Sequence, residues 1–208
     1  DVAGLNSGDY HFRQDSDTVF QNRYGVCAGY SNLMVALGEA MGEEIVYVGG
    51  FSREQDGSIA GSGHAWNAAK VGDHWALIDA TWDAGSVGPG GFKAGYETSY
   101  LFTPPEVFLL THFPDDPGWQ LVERPVSRGE FTRAPMMRPT FFAHGFRFDA
   151  NVRSQVTVED ELVLHIQNPK QRALSATYTA RGGDAEGRCE VRGTRKLRPA
   201  AAPPRAGN

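Results

Sequence analysis

Two residues, Gly72-Asp73, separate the strand-like runs 64–71 and 74–82, and this punctuation constrains the fold more than any other feature of the chain. Gly-Asp is the chemistry of a tight two-residue turn, so the two runs read as an antiparallel hairpin. The turn then fixes the register: Val71 faces His74 and, counting back, Trp66 faces Asp79. His64 shares a face with Trp66, which puts it diagonally across from Asp79, with Cβ atoms about 7–8 Å apart or less. An imidazole and a carboxylate can close that gap. A slip of one residue would send them to opposite faces.

Upstream of the hairpin lies a helical pattern. From Cys27 to Met41 the apolar residues Tyr30, Leu33, Met34, Leu37 and Met41 recur at offsets of three and four, one face of a helix. Gly42 stands where a helix commonly ends in a left-handed residue. A short β-branched run, 44–48, reads as a buried strand, and the glycine-rich stretch 52–63 as a loop. Cys27 therefore opens a helix, where unpaired N–H groups and the helix dipole favour the thiolate that a sulfur nucleophile requires. Gly25 and Gly29 bracket it and allow a sharp chain entry and close approach of a substrate.

Each residue alone has a plainer reading. Cys27 could be a small core residue, His64 a polar residue at a loop end, and Asp79 a turn or cap residue. His74 is a rival base, but it lies at the hairpin turn, far from the end where His64 emerges. What carries weight is the conjunction: a thiol at a helix start, then His and Asp placed to meet on adjacent strands, the logic of nucleophile, base and orienting carboxylate.

Beyond the hairpin, residues 83–95 form a glycine-rich excursion, and Thr103-Pro104-Pro105-Glu106 has the layout of a helix start with Thr103 as cap. After about residue 125 short strand-like runs follow (146–149, 155–158, 161–167 and 173–179), separated by polar turns. The reading is a catalytic core over 1–125, a β-rich appendage over 126–192 and a basic Pro/Ala-rich tail over 193–208, solvated and disordered. The two cysteines, Cys27 and Cys189, have unlike surroundings and are read as free thiols; two cannot build a closed thiolate metal site. No H-E-x-x-H or paired-cysteine motif is present, so neither metal nor cofactor is expected. A net charge of −5 argues against nucleic acid as the main partner, and no apolar run reaches the roughly 18 residues of a membrane span. Residues 1–10 show no signal-peptide pattern. Exported and cytoplasmic origins both fit, and the oligomeric state stays open.

Three blocks carry a family resemblance: Tyr24-Gly25-Val26-Cys27-Ala28-Gly29-Tyr30-Ser31, Gly63-His64-Ala65-Trp66-Asn67 and Leu77-Ile78-Asp79-Ala80-Thr81-Trp82. In this order they resemble the signature blocks of the transglutaminase-like superfamily, in the branch that includes the kyphoscoliosis peptidase and the cytokinesis protein 3 group. Phe102 to Glu106, His112-Phe113-Pro114 and Trp119-Gln120-Leu121 also resemble that branch; Ala80 departs from it, standing where many relatives have proline. The resemblance implies an α+β, papain-like core with a central nucleophile helix against an antiparallel sheet. It also implies Cys27 as nucleophile, His64 as base and Asp79 as orienter. The activity it implies is acyl transfer on protein or peptide amides through a thioester, with hydrolysis favoured; the alternatives are glutamine cross-linking or deamidation, and an inert interaction module on the same fold. Gln21, six residues before Cys27, matches the spacing of the oxyanion glutamine of papain-like enzymes, and Trp66 and Trp82 either wall the site from water or are core aromatics.

Overall fold

The computed structural model describes residues 13–193, apart from 54–57, 60, 62, 150–151, 155, 160 and 180–185. The readings of residues 1–10 and of the tail beyond 193 lie outside the described residues. The chain divides into two compact units, Asp1–Pro169 and Lys170–Asn208.

In the first unit, helix α1 (Ser16–Asn22) is capped by Asp15, whose side chain accepts from the Thr18 N–H, and ends on Arg23 in the left-handed region. Helix α2 spans Cys27–Met41 and stops at Gly42, with φ 78°, as the periodicity predicts. Strands β1 (Ile45–Ser52), β2 (His64–Val71) and β3 (His74–Ile78) follow. β2 and β3 pair antiparallel with Val71 opposite His74 and Asn67 opposite Ile78, the register set by the turn. Gly72 in that turn has φ 59°, where a side chain would be strained. Strands β4 (Gly85–Gly88) and β5 (Gly91–Ala94) form a separate small hairpin inside the glycine-rich excursion. Strand β6 (Leu101–Thr103), the single-turn α3 (Pro105–Phe108) and β7 (His112–Pro114) complete an antiparallel sheet of order β6-β3-β2-β1-β7.

β2 is the central strand, and Ala65, Trp66, Asn67, Ala68 and Ala69 are all buried on its two faces. α2 covers one face. There Asn67 Nδ2 donates to the Ser31 carbonyl, and Gly38 lets the helix approach so closely that a Cβ would lie 2.8 Å from Ile45. The opposite face carries the core of Val48, Trp66, Ala68, Leu77, Tyr100 and Phe108. Each such large apolar side chain contributes about 1.5–3 kcal/mol through removal from water.

Several expectations need correction. β1 runs through Ser52, so the loop does not begin there. Its Gly50 serves close packing, since a Cβ there would run into the Phe113 carbonyl oxygen of β7. β3 ends at Ile78, not Trp82, because Asp79 Oδ1 accepts the N–H groups of Thr81 and Trp82 and bends the chain out of the ladder. Thr103 ends a strand and does not cap α3; its hydroxyl donates to the Ser99 carbonyl. The stretch after 125 opens with two short helices, α4 (Arg128–Arg133) and α5 (Pro139–Ala143), before the two-residue strands β8 (Arg147–Phe148) and β9 (Ile166–Gln167). Described residues in 155–158 form no strand. In the second unit the 173–179 run shortens to β10 (Thr177–Thr179), which pairs with β11 (Glu186–Arg188). No helix among the described residues is long and apolar enough to cross a membrane.

Candidate active site

Cys27 is the first residue of α2, after Val26 in extended conformation without a side-chain cap. The Val26 N–H is instead taken by Gln14 Oε1 at 2.9 Å, and Asn32 Nδ2 donates to the Gln14 carbonyl. Gln14 thus ties the segment before the thiol to the helix after it. Gly29 answers to the same packing: a Cβ there would lie 2.4 Å from Gln14 Oε1 and 2.9 Å from Val19 Cγ2. The glycines around Cys27 therefore admit residue 14 and α1, rather than a substrate. On the other side Tyr47 is 44 % exposed, and the thiol is partly exposed. Burial, and then the charge of Cys27, raise the Tyr47 phenol above its ordinary value, which places the two near one another.

His64 opens β2, and its Nε2 lies 2.7 Å from Asp79 Oδ2. That leaves Nδ1 for the thiol. The sheet also brings in His112 of β7, whose Nε2 lies 2.9 Å from the same Asp79 oxygen. The other oxygen, Oδ1, holds the Thr81 and Trp82 N–H groups at 2.9 and 3.0 Å. Four N–H donors thus converge on one carboxylate whose side chain is 0 % exposed. Such convergence is what allows a carboxylate to stay ionised in the interior.

The electrostatics follow from these contacts. Burial opposes the Asp79 charge, but hydrogen bonds from His112 and His64 outweigh it and hold the carboxyl well below the usual range. Burial also works against a His64 cation, yet the bonds to Asp79 and Cys27 win and raise His64 to about 9. For Cys27, burial favours the thiol, while the His64 bond and charge and the N–H groups of Ala65 and Ala28 bring it below the ordinary value. His112 goes the other way: burial lowers it to about 4, against the pull of Asp79, with the neighbouring His64 charge adding to the fall. One carboxylate supports one imidazolium, and it is His64.

Aromatic rings surround the pair. Trp66 and Trp82 lie 6.0 and 5.8 Å from the His64 ring, and Phe108 stacks on His112 at 4.1 Å. Trp66 is 1 % exposed and Trp82 partly buried. Gln21 is exposed on α1; the glutamine that reaches the segment before Cys27 is Gln14. Two site residues thus escape the sequence reading. Gln14 lies in a polar stretch with no local signal, and His112 appears only as part of the His-Phe-Pro run.

His64, Asp79 and His112 offer potential metal-ligand atoms within 4.8 Å of one another. However, the two Nε2···Oδ2 separations are those of hydrogen bonds. They are shorter than the roughly 3.3 Å between two donors held about 2 Å from a tetrahedral zinc ion. The arrangement fits protons, not an ion.

A sequence model of the Transglutaminase-like superfamily matches residues 3–80. Kyphoscoliosis peptidase of Mus musculus is 28 % identical over 82 % of this chain and 29 % of its own length. The Homo sapiens protein of that name is 27 % identical over 95 % of this chain and 32 % of its own. Hillarin of Drosophila melanogaster is 28 % identical over 71 % of the chain and 20 % of its own length. The chain therefore spans about a third or less of the curated relatives it matches. The helix of Cys27 and the hairpin of His64 and Asp79 lie inside the matched segment, so the part of the chain that bears them is similar to the Transglutaminase-like superfamily and has an α+β, papain-like fold.

Proposed function

We propose that Cys27, His64 and Asp79 act as nucleophile, base and orienting carboxylate in acyl transfer on protein or peptide amide bonds, with water as the favoured acceptor. The observation that carries this reading is the 2.7 Å contact of His64 with the buried Asp79, together with a thiol at a helix start that, against burial, His64 brings below its ordinary pKa. His64 Nδ1 takes the thiol proton, and the thiolate attacks the amide carbon. The carbonyl π electrons move to oxygen, forming a tetrahedral oxyanion. The first turn of α2 leaves backbone N–H groups unused by the helix, and that of Cys27 is the natural donor to this oxygen. Collapse of the intermediate breaks the C–N bond, His64 returns its proton to the departing nitrogen, and a thioester remains on Cys27. Water, deprotonated by His64, then releases the acid and regenerates the thiol.

Hydrolysis is favoured because two of the relatives are named peptidases. Mass spectrometry of a protein mixture incubated with the chain and a primary amine tests the assignment. New chain termini support hydrolysis. Amine adducts on glutamine select cross-linking, and glutamine-to-glutamate conversion selects deamidation. If none of these products differs from a Cys27→Ala control, the enzyme reading is wrong.

A further inference from the structure

His112 is a buried ionisable side chain that the steps above leave without a task. It is 0 % exposed, lies in β7 opposite Ser52 of β1, and stacks on Phe108 at 4.1 Å. As mere filling between Phe108, Trp66, Trp82 and Tyr100, a hydrocarbon ring would serve as well, without polar atoms to satisfy. Both polar atoms of His112 are committed, however. Nε2 reaches Asp79 Oδ2 at 2.9 Å, and Nδ1 lies 2.8 Å from Thr111 Oγ1.

The oxygen that His112 contacts is the one that His64 contacts. An ionised carboxylate only accepts, so both Nε2 atoms must carry protons. With His64 as the cation, His112 is the neutral Nε2–H tautomer, its Nδ1 is an acceptor, and the Thr111 hydroxyl supplies the proton facing it. That hydroxyl has one proton and two acceptors in reach, Nδ1 at 2.8 Å and the Phe108 carbonyl oxygen at 3.2 Å, and the shorter contact takes the proton. A second donor on Oδ2 does two things. It holds the carboxylate at a point in space, and it draws off part of the charge that would otherwise bind the His64 proton more tightly.

We propose that His112 is a positioning residue, which tethers Asp79 Oδ2 through a Thr111-locked Nε2–H and thereby lowers the pH at which His64 releases its proton. This rests on the acyl-transfer reading of the site. The groups facing the cluster are Cys27 beyond His64, the N–H groups of Thr81 and Trp82 on Oδ1, and Tyr100 with Asp83 behind His112. Asp83 accepts the Tyr100 N–H, so His112 is the side-chain donor that Asp79 gains besides His64. The order of contributions agrees: after burial, the His112 bond is the largest influence on the Asp79 carboxyl.

The test is imidazole ¹⁵N NMR of the whole chain across pH 5–10, together with the iodoacetamide alkylation rates of Cys27 and of exposed Cys189. In the wild type, His112 is expected as a neutral Nε2–H tautomer throughout, with His64 cationic near neutrality. In His112→Phe, which keeps the ring and loses the donor, the His64 midpoint should rise by about one unit. In His112→Gln, which restores an N–H, it should return towards the wild-type value. An unmoved His64 midpoint in His112→Phe overturns the proposal. Should that variant fail to fold, the wild-type spectrum decides, because an Nδ1–H tautomer or an ordinary titration of His112 overturns it equally. Equal alkylation of Cys27 and Cys189, indifferent to His64→Ala, removes the acyl-transfer reading itself and the proposal with it. Preferential alkylation of Cys27 with an unmoved midpoint removes the proposal alone.

Discussion

Replacing Asp79 by asparagine changes one atom and reverses the hydrogen bonding of the site. Asp79 Oδ1 accepts two backbone N–H groups, so the asparagine carbonyl will take that position and its NH₂ will face the two Nε2 atoms. A donor then meets donors. His64 must move its proton from Nε2 to Nδ1, the nitrogen that should receive the thiol proton, and in that tautomer it is no base. The magnitude follows from the electrostatics. His64 stands at about 9 against an ordinary 6.5, a gain of about 3 kcal/mol at 1.36 kcal/mol per unit. Cys27 supplies part of that gain, so loss of the Asp79 share predicts a fall on the order of 100-fold in acylation of Cys27. Acylation by p-nitrophenyl acetate at pH 7 reads this directly, as a burst of nitrophenolate and one acetyl group on the Cys27 peptide. Circular dichroism checks that the variant still folds. A variant that folds and acetylates within a few-fold of the wild type refutes the role given to Asp79.

Other predictions concern the scaffold. His112 falls to about 4 in the folded chain against 6.5 unfolded, so the unfolded state binds the extra proton between these values. Stability should therefore drop as pH falls from 6.5 to 4, by a loss approaching about 3 kcal/mol; a melting temperature that is flat over this range contradicts it. His64 acts in the opposite sense, its contribution full below 6.5 and lost as pH rises through about 9. The lowered Cys27 thiol, which contributes most above its unfolded value, offsets part of that alkaline loss. Gly50→Ala drives a Cβ to 2.7 Å from Trp66 and closer still to β7, so it should cost about 3 kcal/mol in urea unfolding and weaken the His112 contact. Gly29→Ala should displace Gln14 and slow Cys27 acylation more than it lowers the melting temperature.

The hairpin is legible in the sequence because its information is local. Gly72-Asp73 dictates the turn, the turn dictates the register, and the register brings His64 to Asp79. Cys27 at the start of α2 and Gly42 at its end are legible for the same reason. The misread stretches are mostly those where a residue answers to a distant neighbour. Ser52 reads as the start of a loop but closes β1 and pairs with His112 of β7, sixty residues later in the chain. The end of β3 is misread for a local reason instead, because Asp79 Oδ1 accepts the N–H groups of its own following turn. His112 carries no motif of its own, because its partner is thirty-three residues away. Helix α4 is a different matter: Ser127 and Glu130 form a capping box whose S-x-x-E pattern stands in the sequence.

The proposed chemistry depends on the ionisation of one sulfur. Iodoacetamide alkylation of the whole chain from pH 4 to 10, resolved by peptide mass at Cys27 and Cys189, measures it with an exposed thiol of the same molecule as reference. The prediction is a Cys27 to Cys189 rate ratio well above one near neutrality that grows as the pH falls, and that collapses in His64→Ala. A ratio near one at every pH, unchanged by that substitution, contradicts it.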